Sequence, residues 1–505
     1  MEATDSQVDW VYNNPALAQE RSAATHKPLL LYWTARWCPP CQEMHVTVLR
    51  SAEFAAVSRE WIVAELSGDA PDAQVWGERL ALVTYPTMLL LSPVGEEIAR
   101  LPGGLPAALF CEAMRAAHQA ERNIAALAAA VQRGATQCSN AELTLLAYHS
   151  WRQDLRSLAA EGRPGFFQKL MSITPVTRGN EWARIVAQRV FEESTVAEAQ
   201  HSGGAPPNSP APNAATAHSY TDLGRQFLEL LQGPAASYAN LYYLNVDPRP
   251  AITFLTQKAG VDRTLLISAW TTAVAAMLEK EPLSGTERLI AHATLVTVSK
   301  SRADSSDLPE YQRQRCIDLI QELDRTTTDV RERQSVMNMA GHLLRFIGLP
   351  QEAQLTFERE LQKSADPYYF MPYLADLARD RGEVANAMNW MQRAYEEAPG
   401  AATRFALGGR YITALTAVTP QDEIRIAAAV SQVLQESYGR KAVFHGVFRR
   451  TLTAIIADLK SWAASESSRR KIITQISHQL TQLATAEPER ESREFLEESA
   501  ERLRV

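Results

Sequence analysis

Cys38 and Cys41, three positions apart in the run Trp37-Cys38-Pro39-Pro40-Cys41, are the residues whose type and spacing most directly spell chemistry. They follow a hydrophobic stretch, HKPLLLYW, and open a helix-like one, CQEMHVTVLRSAEFAAVS. At a helix start the unpaired N–H groups favour a thiolate, and one turn brings the second sulfur within reach of the first. The chemistry this predicts is thiol–disulfide exchange. A zinc site needs four ligands, and no second Cys-x-x-Cys or Cys-x-His pair follows. A purely stabilising bridge across so short a loop would remove little chain entropy. Cys111, Cys138 and Cys316 lie in helical apolar or amphipathic text, where small buried thiols are expected. His45 shares the helix face of Cys41, so metal handling by Cys38, Cys41 and His45 is a competing expectation, as is a packed or solvated histidine.

The elements that must position the pair are legible around it. HKPLLLYW reads as a buried strand, WIVAELS as a second, AQVWGERLAL as a helix, and PTMLLLSPVGEEIARL as two strands around a turn. Together they predict an α/β module. Beyond Phe110, AALFCEAMRAAHQAERNIAALAAAVQR and the text to about residue 200 carry apolar residues at helical spacing, so helical hairpins are expected there. HSGGAPPNSPAPNAATAH has four prolines, two glycines and no Lys, Arg or carboxylate, which reads as a flexible linker. The rest is helical text with one internal register. Gly348 and Gly382, Ala353 and Ala387, Phe357 and Met391, and Leu361 and Tyr395 are each 34 residues apart, and Pro367 and Pro399 close the two units. That is the tetratricopeptide period. The expected domains are 1–120 (α/β), 121–200 (helical hairpins), 201–219 (linker) and 220–505 (helical repeats, clearest over 335–400).

At 505 residues the chain has room for about three domains. Its 46% hydrophobic and 22% charged content is globular, and 51 basic against 58 acidic residues, a net charge of −7, argues against a phosphate-backbone binder. Nucleic acid is not an expected partner. The longest nearly uncharged apolar stretch, Leu265–Leu278, is 14 residues, too short for the roughly 20 that cross a bilayer. The start, MEATDSQVDW, lacks a basic and apolar leader, which predicts a cytoplasmic protein or, if a signal has been removed, a periplasmic one. There is no Walker A loop, dinucleotide fingerprint, HExxH or GxSxG elbow, so neither a second enzyme domain nor a cofactor is expected.

With these residues in hand, the stretch from about 8 to 118 resembles the thioredoxin family: the Trp-Cys-x-x-Cys box, the Tyr85-Pro86-Thr87 segment, and Gly103-Gly104 after the last strand occur in the family's order. The lead-in VDWVYNNPALAQERSAATHKPLLLYW and the segment VAELSGDAPDAQVWGERLALVTYPT look closer to the C-terminal thioredoxin-like domain of the thiol:disulfide interchange reductase DsbD than to cytosolic thioredoxin. The resemblance implies that Pro86 is cis and lies against the sulfurs, that Tyr85 pairs with substrate backbone, and that Trp37 and Tyr85 border an exposed Cys38 sulfur and, with Thr87, the substrate site. The family's buried acid, six residues before the first cysteine, is replaced by Tyr32, which leaves Glu65 in WIVAELS as either a substitute base or a solvated strand-end carboxylate. Pro39 and Pro40 remove two N–H donors near Cys38, predicting a less acidic thiol and a more reducing couple.

The expected function is a thiol-disulfide oxidoreductase acting on protein disulfides, with the helical repeats as a docking scaffold and an unidentified redox partner. The alternative is a redox-linked holdase chaperone or adaptor. Aromatics cluster at Tyr238, Tyr242 and Tyr243 and again at Tyr368, Tyr369, Phe370, Tyr373, Trp390 and Tyr395; most are expected between helices, and any left facing a groove are anchors for a partner.

Overall fold

Every residue of Leu29–Thr34 is buried, because this strand lies at the centre of a sheet covered on both faces. The computed structural model describes residues 8–134, 137–202, 214–245, 247–302, 308–437, 444–464 and 466–504. The N-terminal sheet contains β1 (Trp10–Tyr12), β2 (Leu29–Thr34), β3 (Ile62–Ser67), β4 (Thr87–Leu91) and β5 (Glu97–Leu101), in the order β1-β3-β2-β4-β5. The first three strands run parallel, with Tyr32 opposite Glu65, while β4 is antiparallel to both β2 and β5. Strand alternation divides β2 between two cores: Leu30 and Tyr32 face one, and Leu29, Leu31 and Trp33 the other.

The helices of this domain are α1 (Pro15–Thr25), α2 (Pro39–Met44), α3 (Ala52–Val57), α4 (Ala73–Arg79) and α5 (Ala107–Gln119). The single helix expected after the first cysteine is two. α2 runs into a π turn over His45–Leu49, and Ser51 then caps α3 by accepting the Phe54 N–H. A serine that satisfies a free N–H in this way starts a new helix more readily than it continues an old one.

After β5 the described residues are helical. Residues 121–200 are shared between two cores: Leu145, Tyr148, Trp151, Phe166 and Phe167 lie with Leu30, Met88 and Phe110 of the sheet domain, and Trp182, Val186, Val190 and Phe191 with Phe227 and Trp270 farther along the chain. The preceding helix reaches Ser202 and the next begins at Ala214, so the middle of the expected linker, 203–213, lies outside the described residues. Farther on, helices Val330–Phe346 and Pro350–Lys363 pair, as do Met371–Asp380 and Val384–Glu397. Gly348 and Gly382 occupy the same left-handed corner of the two pairs, at φ 85° and 77°, where a side chain would be strained. Ala353 and Ala387 are buried one turn beyond each corner. Among the described residues no helix is long and apolar enough to cross a membrane.

Candidate functional site

β2 ends beside the loop Ala35–Trp37, and Cys38 is the N-cap of α2. Its Sγ accepts the Cys41 N–H at 3.3 Å, so the helix start supplies a donor to the first sulfur as the spacing predicted. Pro39 and Pro40 fill the first helical positions, where their missing N–H groups are of least consequence. Both cysteines are free thiols. The Tyr85-Pro86 peptide bond is cis. Tyr85 stacks on Trp33 with ring centroids 5.2 Å apart and meets Trp37 edge-on at 5.9 Å. Trp37 and Tyr85 therefore flank the dithiol loop. Thr87 is turned inward, its hydroxyl donating to the Thr84 carbonyl at 2.8 Å.

The electrostatics follow from depth. Cys38 is 3% exposed and Cys41 1%. Burial pushes the Cys38 thiol well above its ordinary range, and the hydrogen bond and charge of Cys41 add to the rise, against the lowering effect of the Cys41 N–H. The thiol is thus less acidic, as expected, but burial is the leading cause. Tyr32 takes the place of the family's acid; its hydroxyl donates to the Cys41 carbonyl at 3.0 Å, and burial raises its pKa far beyond any role as a base at neutral pH. Glu65, across the register from Tyr32, lines with it a cavity of ≈ 560 Å³ that also reaches Arg36, Arg50, Asp329 and Gln334. Burial likewise raises Cys111 and Cys316, each to about 11, in keeping with inert packed thiols.

The sulfur that sequence reasoning expected at the surface is covered. Trp37 donates its indole N–H to the Thr403 hydroxyl at 2.7 Å and stacks on Tyr369 at 5.4 Å. Gln334 donates to the Trp37 carbonyl at 3.3 Å. These three partners lie roughly 300 to 370 positions away in the chain, which is why no local pattern exposed them. The only hint was the aromatic cluster at 368–373, whose Tyr369 is the member that reaches the dithiol loop.

His45 is buried at the head of the π turn. Among the described residues, the side chains grouped closely enough to share an ion are Glu78, His445 and Glu491, a set containing none of Cys38, Cys41 and His45. Arg449 stands 3.6 Å from Glu78 and 3.0 Å from Glu491, so the acids there already have a cation.

Comparison with known proteins bears on the N-terminal part of the chain. A family model described as thioredoxin-like domain matches residues 16–118. A thioredoxin from Thermus thermophilus, known from its solution structure, is 30% identical over 22% of this chain and 85% of its own, with a TM-score of 0.20. Residues 16–118 are thus a thioredoxin-like domain. A second solved structure, a DsbH oxidoreductase, is 18% identical over 24% of this chain and 92% of its own, again with a TM-score of 0.20. No curated protein matches the chain. The matched residues take in β2 to β5 and the cysteine loop, while the helices that cover the loop lie outside them.

Proposed function

We propose that the protein is a thiol-disulfide oxidoreductase working through Cys38 and Cys41, with protein disulfides as substrates. The observation that carries this reading is the dithiol itself: Cys38 caps α2, its sulfur faces the Cys41 N–H, and both cysteines are free. In the first step the Cys38 thiolate attacks one sulfur of a partner disulfide, forming a mixed disulfide and releasing the other partner sulfur as a thiolate. Cys41 then loses its proton and attacks Cys38 Sγ; the Cys38–Cys41 disulfide forms and the second partner sulfur leaves. Two electrons pass to the partner, and a dithiol reductant returns the pair to its starting state. Burial of Cys38 disfavours its thiolate, which leans the couple toward the reducing direction, since strong oxidants of this kind are those whose reduced thiolate is stabilised. The 34-residue register and its matched glycine corners support a tetratricopeptide-like surface for 335–400 that holds protein partners.

The depth of Cys38 under Trp37 and Tyr369 favours one second reading, an adaptor or holdase in which the thioredoxin-like domain chiefly binds. Equilibration with reduced and oxidised dithiothreitol, read by mass spectrometry, separates the two. The oxidoreductase forms a Cys38–Cys41 disulfide, and Cys38→Ser lowers its disulfide turnover at least about 100-fold. Equal turnover in wild type and Cys38→Ser removes the enzymatic reading.

A further inference from the structure

The face of the dithiol loop is closed by four separate pieces of the helical region, each joined to it by hydrogen bonds or ion pairs. Asp329, just before helix Val330–Phe346, pairs with Arg50 at 2.9 Å, and Ser335 in that helix donates to Glu43 at 2.9 Å. Asp366, at the turn Pro367–Tyr369, pairs with Arg36 at 3.1 Å. At the start of helix Ala401–Val418, Thr403 gives Asp69 both its N–H, at 2.8 Å, and its hydroxyl, at 2.6 Å. That same hydroxyl accepts from Trp37. Finally, Gly446 N–H donates to Glu78 at 3.0 Å and Val447 N–H to Gln74 at 2.9 Å.

These contacts are hydrogen bonds and ion pairs between groups that water also satisfies, so separating them leaves little unsatisfied. The apolar clusters on the two sides are distinct, and Trp37 is the side chain that packs against both. A contact of this composition resembles a transient interface more than a domain core.

We propose that the helices of 329–437, together with Gly446 and Val447, are a latched cap over the dithiol, that its closed form holds Cys38 out of reach of a protein disulfide, and that the latch parts to admit one. The closure is a statement about access and stands apart from the thiol-exchange reading; only the use made of the opened site rests on that reading.

Gly400 offers a wedge. Its backbone, at φ −85°, suits any residue, but a Cβ there would run into the Asp69 carboxylate. Gly400→Leu therefore drives the Asp69 carboxylate off Thr403, and Asp69→Ala removes the same two hydrogen bonds without adding bulk. The measurement is peptide-resolved alkylation of Cys38 by iodoacetamide in the full chain. Wild type is expected to react at least about tenfold more slowly than urea-unfolded chain, and each variant about tenfold faster than wild type, the change that about 1.4 kcal/mol of lost latching produces. Circular dichroism unchanged from wild type shows that the fold is retained. Cys38 reacting in native wild type at the unfolded rate overturns the cap, as does a wild-type rate in Asp69→Ala. Insulin reduction is assayed alongside. Faster alkylation with faster insulin reduction upholds both proposals; faster alkylation with no reduction at all upholds the cap and ends the oxidoreductase reading.

Discussion

Two of the contacts between the helical part of the chain and the thioredoxin-like domain are chemically opposite. On the sheet face that carries α5, Tyr148, Trp151, Phe166 and Phe167 join Leu30, Met88 and Phe110 in a continuous core. Over the dithiol, the contact is made by Arg36 with Asp366, Arg50 with Asp329, and Asp69 with Thr403. Burying large apolar side chains is worth about 1.5–3 kcal/mol each, and water offers no substitute for what is lost on opening. Polar pairs near a surface contribute little, because water competes for the same groups. The difference teaches that one junction extends the fold while the other can be broken and remade around the chemistry.

The sharpest way to break this comparison is at the apolar junction. Phe166→Ala deletes a fully buried ring and should lower the unfolding free energy by about 3–5 kcal/mol, measured by urea titration. A loss below about 1 kcal/mol would mean that this contact is no more structural than the polar one. Acid should act on the same junction. His149 accepts the Arg100 N–H on Nδ1 and holds Asp154 at 3.0 Å on Nε2, so the neutral ring donates to a carboxylate. Burial lowers the His149 pKa, and the hydrogen bonds that His149, Ser157 and Arg156 donate to Asp154 hold its carboxyl low despite its own burial. Unfolded chain therefore takes up a proton at His149 that folded chain refuses, and stability declines as pH falls below about 6.5. Asp154 contributes in the same direction at lower pH, its share being lost as pH drops toward its depressed folded value. The slope should approach at most about 1.4 kcal/mol per pH unit for each extra proton, and His149→Gln should flatten it below pH 6.5.

Smaller effects are expected at the polar contact. Arg36→Ala leaves the urea midpoint nearly unchanged, since the arginine is largely exposed, yet raises Cys38 alkylation up to about fivefold. Raising ionic strength from about 0.05 to 0.5 M shortens the range of these charges and should raise the wild-type alkylation rate by about twofold. A salt effect on the unfolding midpoint with none on alkylation would reverse the assignment of the two contacts.

Much of the thioredoxin-like domain was legible because its strands are short apolar runs bounded by turn residues. Ile62–Ser67, Thr87–Leu91 and Glu97–Leu101 lie within the stretches read as strands, and Leu29–Thr34 runs one residue past the first of them. The capped break at Ser51 was missed, since a serine within apolar periodicity carries no sign that its hydroxyl will take the Phe54 N–H. At the site, the Cys38–Cys41 spacing and the Tyr85-Pro86 segment were found from text alone. Glu65 was placed on the strand beside Tyr32, but Tyr32 is the group hydrogen-bonded to the Cys41 carbonyl. An exposed sulfur was expected and a buried one found, because exposure depends on whatever else the chain brings to that face.

By itself, the sequence determined the dithiol, its position at a helix start, the sheet that holds it and the helical character of the chain beyond that sheet, since each is set by neighbours within a turn or a strand. Only the tertiary structure decided that Thr403, Tyr369 and Gln334 would close over Trp37 and sink Cys38 out of water. Those contacts join residues hundreds of positions apart through single hydrogen bonds and one stacked ring, interactions too short in range and too common in type to leave a pattern in the order of amino acids.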